Sequence, residues 1–227
     1  MNDLNGKVLV ALGDSLTYGA HLKREQTWVN LLGEKYGMDY RNCGVSGSTI
    51  STSDVTTSRP MWMRLRDDLT VEVLPHVDYF VLQGGANDCW HNVPLGEKTD
   101  NLADFGDSIP ADGEVPTFCG AINYIINTVK TRWPGVRLLL LTNYNRKVRV
   151  SATGHTDEEY VDRMVEMARF RGVPVVDNYH EVGIDLRDPA RAGTVTDYAW
   201  AATSDSHISP EGYKWLLPIY EKKLLEI

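Results

Sequence analysis

Four short stretches of nearly unbroken apolar residues, at 7–12, 79–83, 136–141 and 173–177, constrain this chain more than any other feature. A strand with one wet face alternates apolar and polar side chains, whereas a strand covered on both faces reads as a continuous apolar run. Such strands belong in a parallel sheet between two layers of helix. A fifth run, "DYRNC" at 39–43, is short and polar and suits an edge position.

Amphipathic stretches separate the runs. "TWVNLLGEKYG" ends at Gly37, a C-terminal cap glycine, and "TFCGAINYIINTVKTRWPG" stops at Pro134-Gly135. "TDEEYVDRMVEMARFRG" opens with the capping-box pair Thr156 and Glu159. The final helix begins with Ser209 as N-cap and Pro210 at its first position, and Pro218 is expected to kink or break it. Strand–helix alternation of this kind predicts right-handed crossovers and one doubly wound α/β sheet. Neither repeat nor linker interrupts it, so residues 1–227 read as a single domain.

The 227 residues suffice for a full core without metal or disulfide staples. A net charge of −8 disfavours nucleic acid as a partner. Three scattered cysteines without a CxxC pair imply reduced thiols. The leading "MNDLNGKVLV" lacks the basic and apolar regions of a signal peptide, and no run approaches the roughly 18 apolar residues of a membrane span. A cytoplasmic protein without membrane attachment is expected. The oligomeric state is not legible.

In doubly wound sheets, ligands bind beyond the carboxyl ends of the strands. The loops there read "GDSLTYGA", "GVSGSTI", "GGANDCW", "NYNRKVR" and, before the last helix, "SDSHISPEGY". Taken singly, Ser15, Gly47, Asn87 and His207 are ordinary turn, cap or surface residues. "DSLTYGA" would also suit a phosphate-binding turn of the flavodoxin kind. The six histidines show no HExxH or HxH spacing, so a metal hydrolase is disfavoured.

Together and in this order, "GDSL", "GVSGST", "GGAND" and "DSHISPEGY" resemble the GDSL, or SGNH, hydrolase superfamily, and the likeness spans nearly the whole chain. The resemblance implies a flavodoxin-like three-layer αβα sandwich with a five-stranded parallel sheet, and cofactor-free hydrolysis of acyl esters. It makes Ser15 the nucleophile and His207 the base. The backbone N–H groups of Ser15 and Gly47 and the side chain of Asn87 become the oxyanion donors. Asp14 and Asp88 are expected to brace their loops through backbone N–H groups. The family's base loop reads D-x-x-H, but here Ser204 holds the aspartate's place and Asp205 stands two residues before His207. Asp205 is the expected partner of the imidazole, with a backbone carbonyl near Ser204 as the alternative.

Residues 88–116 carry seven acidic side chains against Lys98 and form either a wall of the site or a surface excursion. Arg146, Lys147 and Arg149 either pair with that acidic segment or with a second subunit, or grip a phosphate or carboxylate on the substrate. Trp62, Trp90, Trp200 and Tyr18 fall near the same edge, and Trp90 and Tyr18 are the expected substrate contacts. Short-chain acyl esters, including acetyl groups on a carbohydrate, are the expected substrates. The competing readings are an acyl-CoA thioesterase and a non-catalytic flavodoxin-like binding domain with a decayed base loop.

Overall fold

A computed structural model describes residues 3–102, 115–145, 149–185 and 207–227. The strands are β1 (Val8–Gly13), β2 (Asp39–Gly44), β3 (Tyr79–Gln83), β4 (Arg137–Leu141) and β5 (Val175–Val176). The helices are α1 (Ser15–Tyr18), α2 (Trp28–Tyr36), α3 (Met61–Asp68), α4 (Ala86–Trp90), α5 (Phe118–Arg132), α6 (Asp157–Arg171) and α7 (Pro210–Glu226). All pairings are parallel and the order is β2-β1-β3-β4-β5. The polar strand β2 lies at one edge, as its composition predicts. The order reverses at β1, which opens a crevice at the carboxyl ends of β1 and β3.

The continuous apolar runs are explained by cover on both faces. Val10, Leu12, Phe80, Leu82, Leu138 and Leu140 pack with side chains of α3, α5 and α6. Their neighbours Leu9, Ala11, Tyr79, Val81, Leu139 and Leu141 pack against α2 and α7 through Trp28, Leu32, Tyr213, Leu216 and Tyr220. Alternate residues of one strand thus feed two separate cores.

Three features refine the expectation. Strand β5 is two residues long rather than five: Val173 gives its N–H to the Ala168 carbonyl at the end of α6 at 2.9 Å, and past Val176 the Asp177 carboxylate accepts the backbone N–H groups of Tyr179 and His180 at 3.1 and 3.2 Å and turns the chain away. Pro218 does not break α7, which runs on to Glu226. Leu216, Tyr220 and Leu224 are buried on both sides of the proline, and their packing holds the helix across the missing N–H. Trp62, placed near the site by sequence, lies on α3 fully buried, with its indole N–H donated to Thr52 at 3.1 Å.

A proline inside a helix costs about 3 kcal/mol relative to alanine in an unconstrained setting. Pro218→Ala is therefore expected to stabilise the protein by about 1–3 kcal/mol, with a rise in Tm of roughly 2–4 °C per kcal/mol. Thermal unfolding of both proteins checks this; an unchanged or lowered Tm would mean the ring's own packing outweighs the lost hydrogen bond.

Candidate active site

Strand β1 ends in a turn that tolerates only glycine at its first position. A Cβ on Gly13 would stand 2.1 Å from the Thr17 hydroxyl. Asp14 caps α1 by accepting the Leu16 N–H at 2.8 Å, and Gly19, at φ +77°, ends the helix after one turn. Asp14, Leu16 and Thr17 are buried, and Ser15 alone among them keeps partial exposure. The sequence Gly-Asp-Ser-Leu thus lifts one hydroxyl out of the sheet's edge.

The loop after β2 is locked onto this turn. Gly44 presses against the Tyr18 backbone, and Val45 donates its N–H to the Gly13 carbonyl at 3.0 Å. Gly47 adopts φ +78°, and its carbonyl accepts the Thr56 hydroxyl at 3.1 Å. The loop after β3 closes the arrangement. The Asn87 side-chain amide donates to the Ser48 carbonyl at 3.1 Å and stands 3.5 Å from the Asp14 carboxylate. Asp88, fully buried, accepts the N–H groups of Ile50 at 2.9 Å and Ser51 at 3.1 Å. The two aspartates therefore brace the loops as the sequence predicts.

Behind these loops runs a buried polar chain. The Gln83 carbonyl oxygen accepts the Thr17 hydroxyl at 2.8 Å and the Trp28 indole N–H at 3.2 Å, and its amide donates to Tyr144 at 3.2 Å. The Tyr144 and Tyr220 hydroxyls meet at 2.9 Å, and Tyr220 donates to Asn178 at 3.0 Å. Burial pushes the Tyr144 phenol up to about 12 and raises Tyr220 well above its ordinary value, so both remain protonated.

His207 precedes the Ser209 cap of α7 and is half-buried. Helix α7 is tied to the serine turn by the Tyr213 hydroxyl, which donates to the Leu16 carbonyl. The ring of His21 packs edge-on against His207, with centroids 5.1 Å apart and planes at 76°. Asp205 lies outside the described residues, as do Ser204, Trp200, Arg146, Lys147 and positions 103–114 of the acidic segment.

Trp90 lies one helical turn beyond Asn87 on α4 and is 55% exposed, with the Arg149 guanidinium 3.7 Å above its ring. Tyr18 is 41% exposed beneath Arg24. A cavity of about 330 Å³ opens between 52–55 and 91–94, the continuations of the Gly47 loop and of α4. A wider groove of about 490 Å³ lies between β5 and α7, and neither cavity is lined by Ser15, Gly47, Asn87 or His207; the smaller one begins at His91, directly after Trp90. Among the described residues no group of His, Cys, Asp and Glu is placed to hold a metal ion, and no helix is long and apolar enough to cross a membrane.

Two residues escaped the sequence reading. His21 sits at φ +68°, a left-handed conformation that costs a non-glycine residue about 1–3 kcal/mol. Asn143, leaving β4, is buried, and among the described residues neither of its amide atoms has a hydrogen-bond partner. "GAH" and "TNY" read as ordinary loop residues, and only the fold gives either position meaning.

A parallel sheet of order 2-1-3-4-5, with a serine at the exit of β1 and glycine and asparagine loops clasped around it, defines a flavodoxin-like three-layer α/β protein. The chain belongs to the GDSL-like lipase/acylhydrolase family, whose model matches residues 11–215. The fold is similar to a Lactobacillus plantarum protein of 22% identity, with TM-score 0.76 and 97% of both chains covered. It is also similar to a possible lipase from Chitinophaga pinensis at 22% identity and TM-score 0.68, covering 96% of this chain and 99% of that one. A carbohydrate acetylesterase from Sinorhizobium meliloti is similar at 17% identity and TM-score 0.65, with 97% and 100% covered. No curated protein matches the chain.

Burial is the largest influence on the Asp88 carboxyl and raises it to about 7 from the ordinary 3.8, against the pull of the Ile50 and Ser51 N–H groups. The folded chain holds this proton more tightly than the unfolded chain, so ionisation of Asp88 counts against folding. Its contribution to stability falls as pH rises from about 4 to about 7 and is level outside that window. Wild type should therefore lose stability relative to Asp88→Asn between pH 5 and pH 8, by at least about 1 kcal/mol. Urea unfolding of both proteins at the two pH values checks the sign, and a gap that widens in favour of wild type would refute it.

Proposed function

We propose that the protein is a serine esterase of short-chain acyl esters, with Ser15 as nucleophile and His207 as general base. The observation that carries this reading is the clasp at the strand ends: Asn87 reaches from β3 to the Ser48 carbonyl and the Asp14 carboxylate, joining the three loops that bear Ser15, Gly47 and Asn87.

The chemistry follows from that arrangement. A serine hydroxyl attacks an acyl carbon once an imidazole takes its proton, and His207 then returns the proton to the leaving alcohol. Negative charge develops on the former carbonyl oxygen. The backbone N–H groups of Ser15 and Gly47 and the Asn87 amide are the donors for it. The Asn87 nitrogen gives one hydrogen to Ser48 at 3.1 Å and stands 3.5 Å from the Asp14 carboxylate oxygen, a long bond that an oxyanion at normal hydrogen-bond distance would displace. Water completes the cycle on the acyl-enzyme. Asp205 is proposed to orient His207.

Trp90 and Tyr18 would flank the ester, and the cavity between 52–55 and 91–94 would receive the part of the substrate beyond the scissile bond. Its lining mixes Thr52, Ser53 and Asp54 with Val93, Pro94 and Pro116, which suits a small polyhydroxylated group better than a long acyl chain. The acetylesterase from Sinorhizobium meliloti acts on carbohydrate, and acetylated sugars are the substrates to try first.

With p-nitrophenyl acetate, Ser15→Ala is expected to abolish turnover, and Asn87→Ala to lower kcat by about 100- to 1,000-fold with KM little changed. Activity equal in wild type and Ser15→Ala, or absent from both while acetylated ligands still bind, would replace this reading with a binding protein.

A further inference from the structure

We infer that His21 is a positioning residue for His207: its ring is the lateral stop that keeps the base turned toward Ser15. The inference rests on the Ser15–His207 reading and adds a residue to it. Among the described residues, His21 is the side chain whose ring packs on His207, edge to face with centroids 5.1 Å apart.

The chain goes out of its way to place this ring. His21 follows Ser15 by six residues, on the same loop. Gly19 ends α1 in a left-handed conformation, Ala20 donates its N–H back to the Ser15 carbonyl at 3.0 Å, and Leu22 donates to the Gly19 carbonyl at 3.0 Å. This tight reversal puts His21 itself at φ +68°. The backbone conformation is one that glycine adopts without steric cost, yet an imidazole stands there, and the ring it carries packs on the proposed base. The residue is exposed, so burial of apolar surface does not account for it.

A serine turn and a ring contact supplied by one loop have a mechanical consequence. Ser15 is fixed through the Asp14 cap and the Tyr213–Leu16 contact, and His21 is fixed to Ser15 through Ala20. The distance between nucleophile and base is therefore set partly from the nucleophile's own side. That suits a base loop whose spacing, Asp205-Ser206-His207, departs from the D-x-x-H pattern. An edge-to-face contact restrains rotation of the imidazole while leaving its nitrogens to act on the proton.

Three variants separate the ring from the backbone. His21→Gly keeps the left-handed turn and removes the ring, His21→Ala removes both advantages, and His21→Phe restores an edge-on ring without a titratable group. Steady-state kinetics on p-nitrophenyl acetate, with Tm measured alongside and Ser15→Ala and His207→Ala as controls, supply the readout. The expected result is a kcat about 10-fold lower in the glycine and alanine variants, KM within about 2-fold of wild type, and most of kcat recovered in the phenylalanine variant. The glycine variant should match or exceed the wild-type Tm while losing this kcat. Unchanged kcat in glycine and alanine variants, a loss carried by KM or tracking Tm, or a phenylalanine variant no better than alanine would each overturn the inference. If the two controls remain active, the Ser15–His207 reading fails and this inference falls with it. If they are inactive while His21→Ala is unimpaired, only the role of His21 fails.

Discussion

The arrangement of the strand-end loops depends on one buried amide. Gln83 closes β3 with its carbonyl oxygen shared by Thr17 and Trp28 and its nitrogen given to Tyr144, from which the chain of hydroxyls continues to Tyr220 and Asn178. A buried polar group is tolerated only when its partners are present, and here each partner belongs to a different element. The serine turn, α2, the loops after β4 and β5, and α7 all meet through it. Hydrophobic burial gathers these elements to the sheet; the amide decides their relative register at the carboxyl edge.

Two carboxylates then do locally what the amide does globally. Asp14 holds the turn that presents Ser15, and Asp88 holds the backbone just beyond Gly47. Both are fully buried. They act as fixed acceptors for backbone donors, which leaves the partly exposed Ser15, Gly47 and Asn87 facing the crevice.

Much of this was legible because the informative residues are bound to regular elements. Continuous apolar runs identified β1, β3 and β4, since two helical layers leave no wet face for polar residues to mark. The polarity of 39–43 placed β2 at an edge. Helices α1 and α4 escaped because four or five residues are too few to show a helical period, and α3 because Pro60 supplies no side-chain cap. The length of β5 was misjudged at both ends, because Val173 belongs to the close of α6 and Asp177 to the turn that follows. At the site, glycines beside a serine or an asparagine announced the turns. His21 could not be found that way: a left-handed histidine has no periodicity, and its neighbour His207 lies 186 positions on (207 minus 21).

The phenol of Tyr213 on the Leu16 carbonyl gives the molecule a cooperative seam. Burial raises this phenol far above its ordinary value, so the hydroxyl remains a donor wherever the fold survives. Detachment of α7 would break this bond and uncover the part of the core built on Tyr213, Leu216, Tyr220 and Leu224, so the serine turn and the last helix are expected to loosen together. On the proposed reading the turn that carries Ser15 is the fixed side of the site, and the segments at 52–55 and 91–94, which line a cavity outside that turn, are the side left to vary with the substrate.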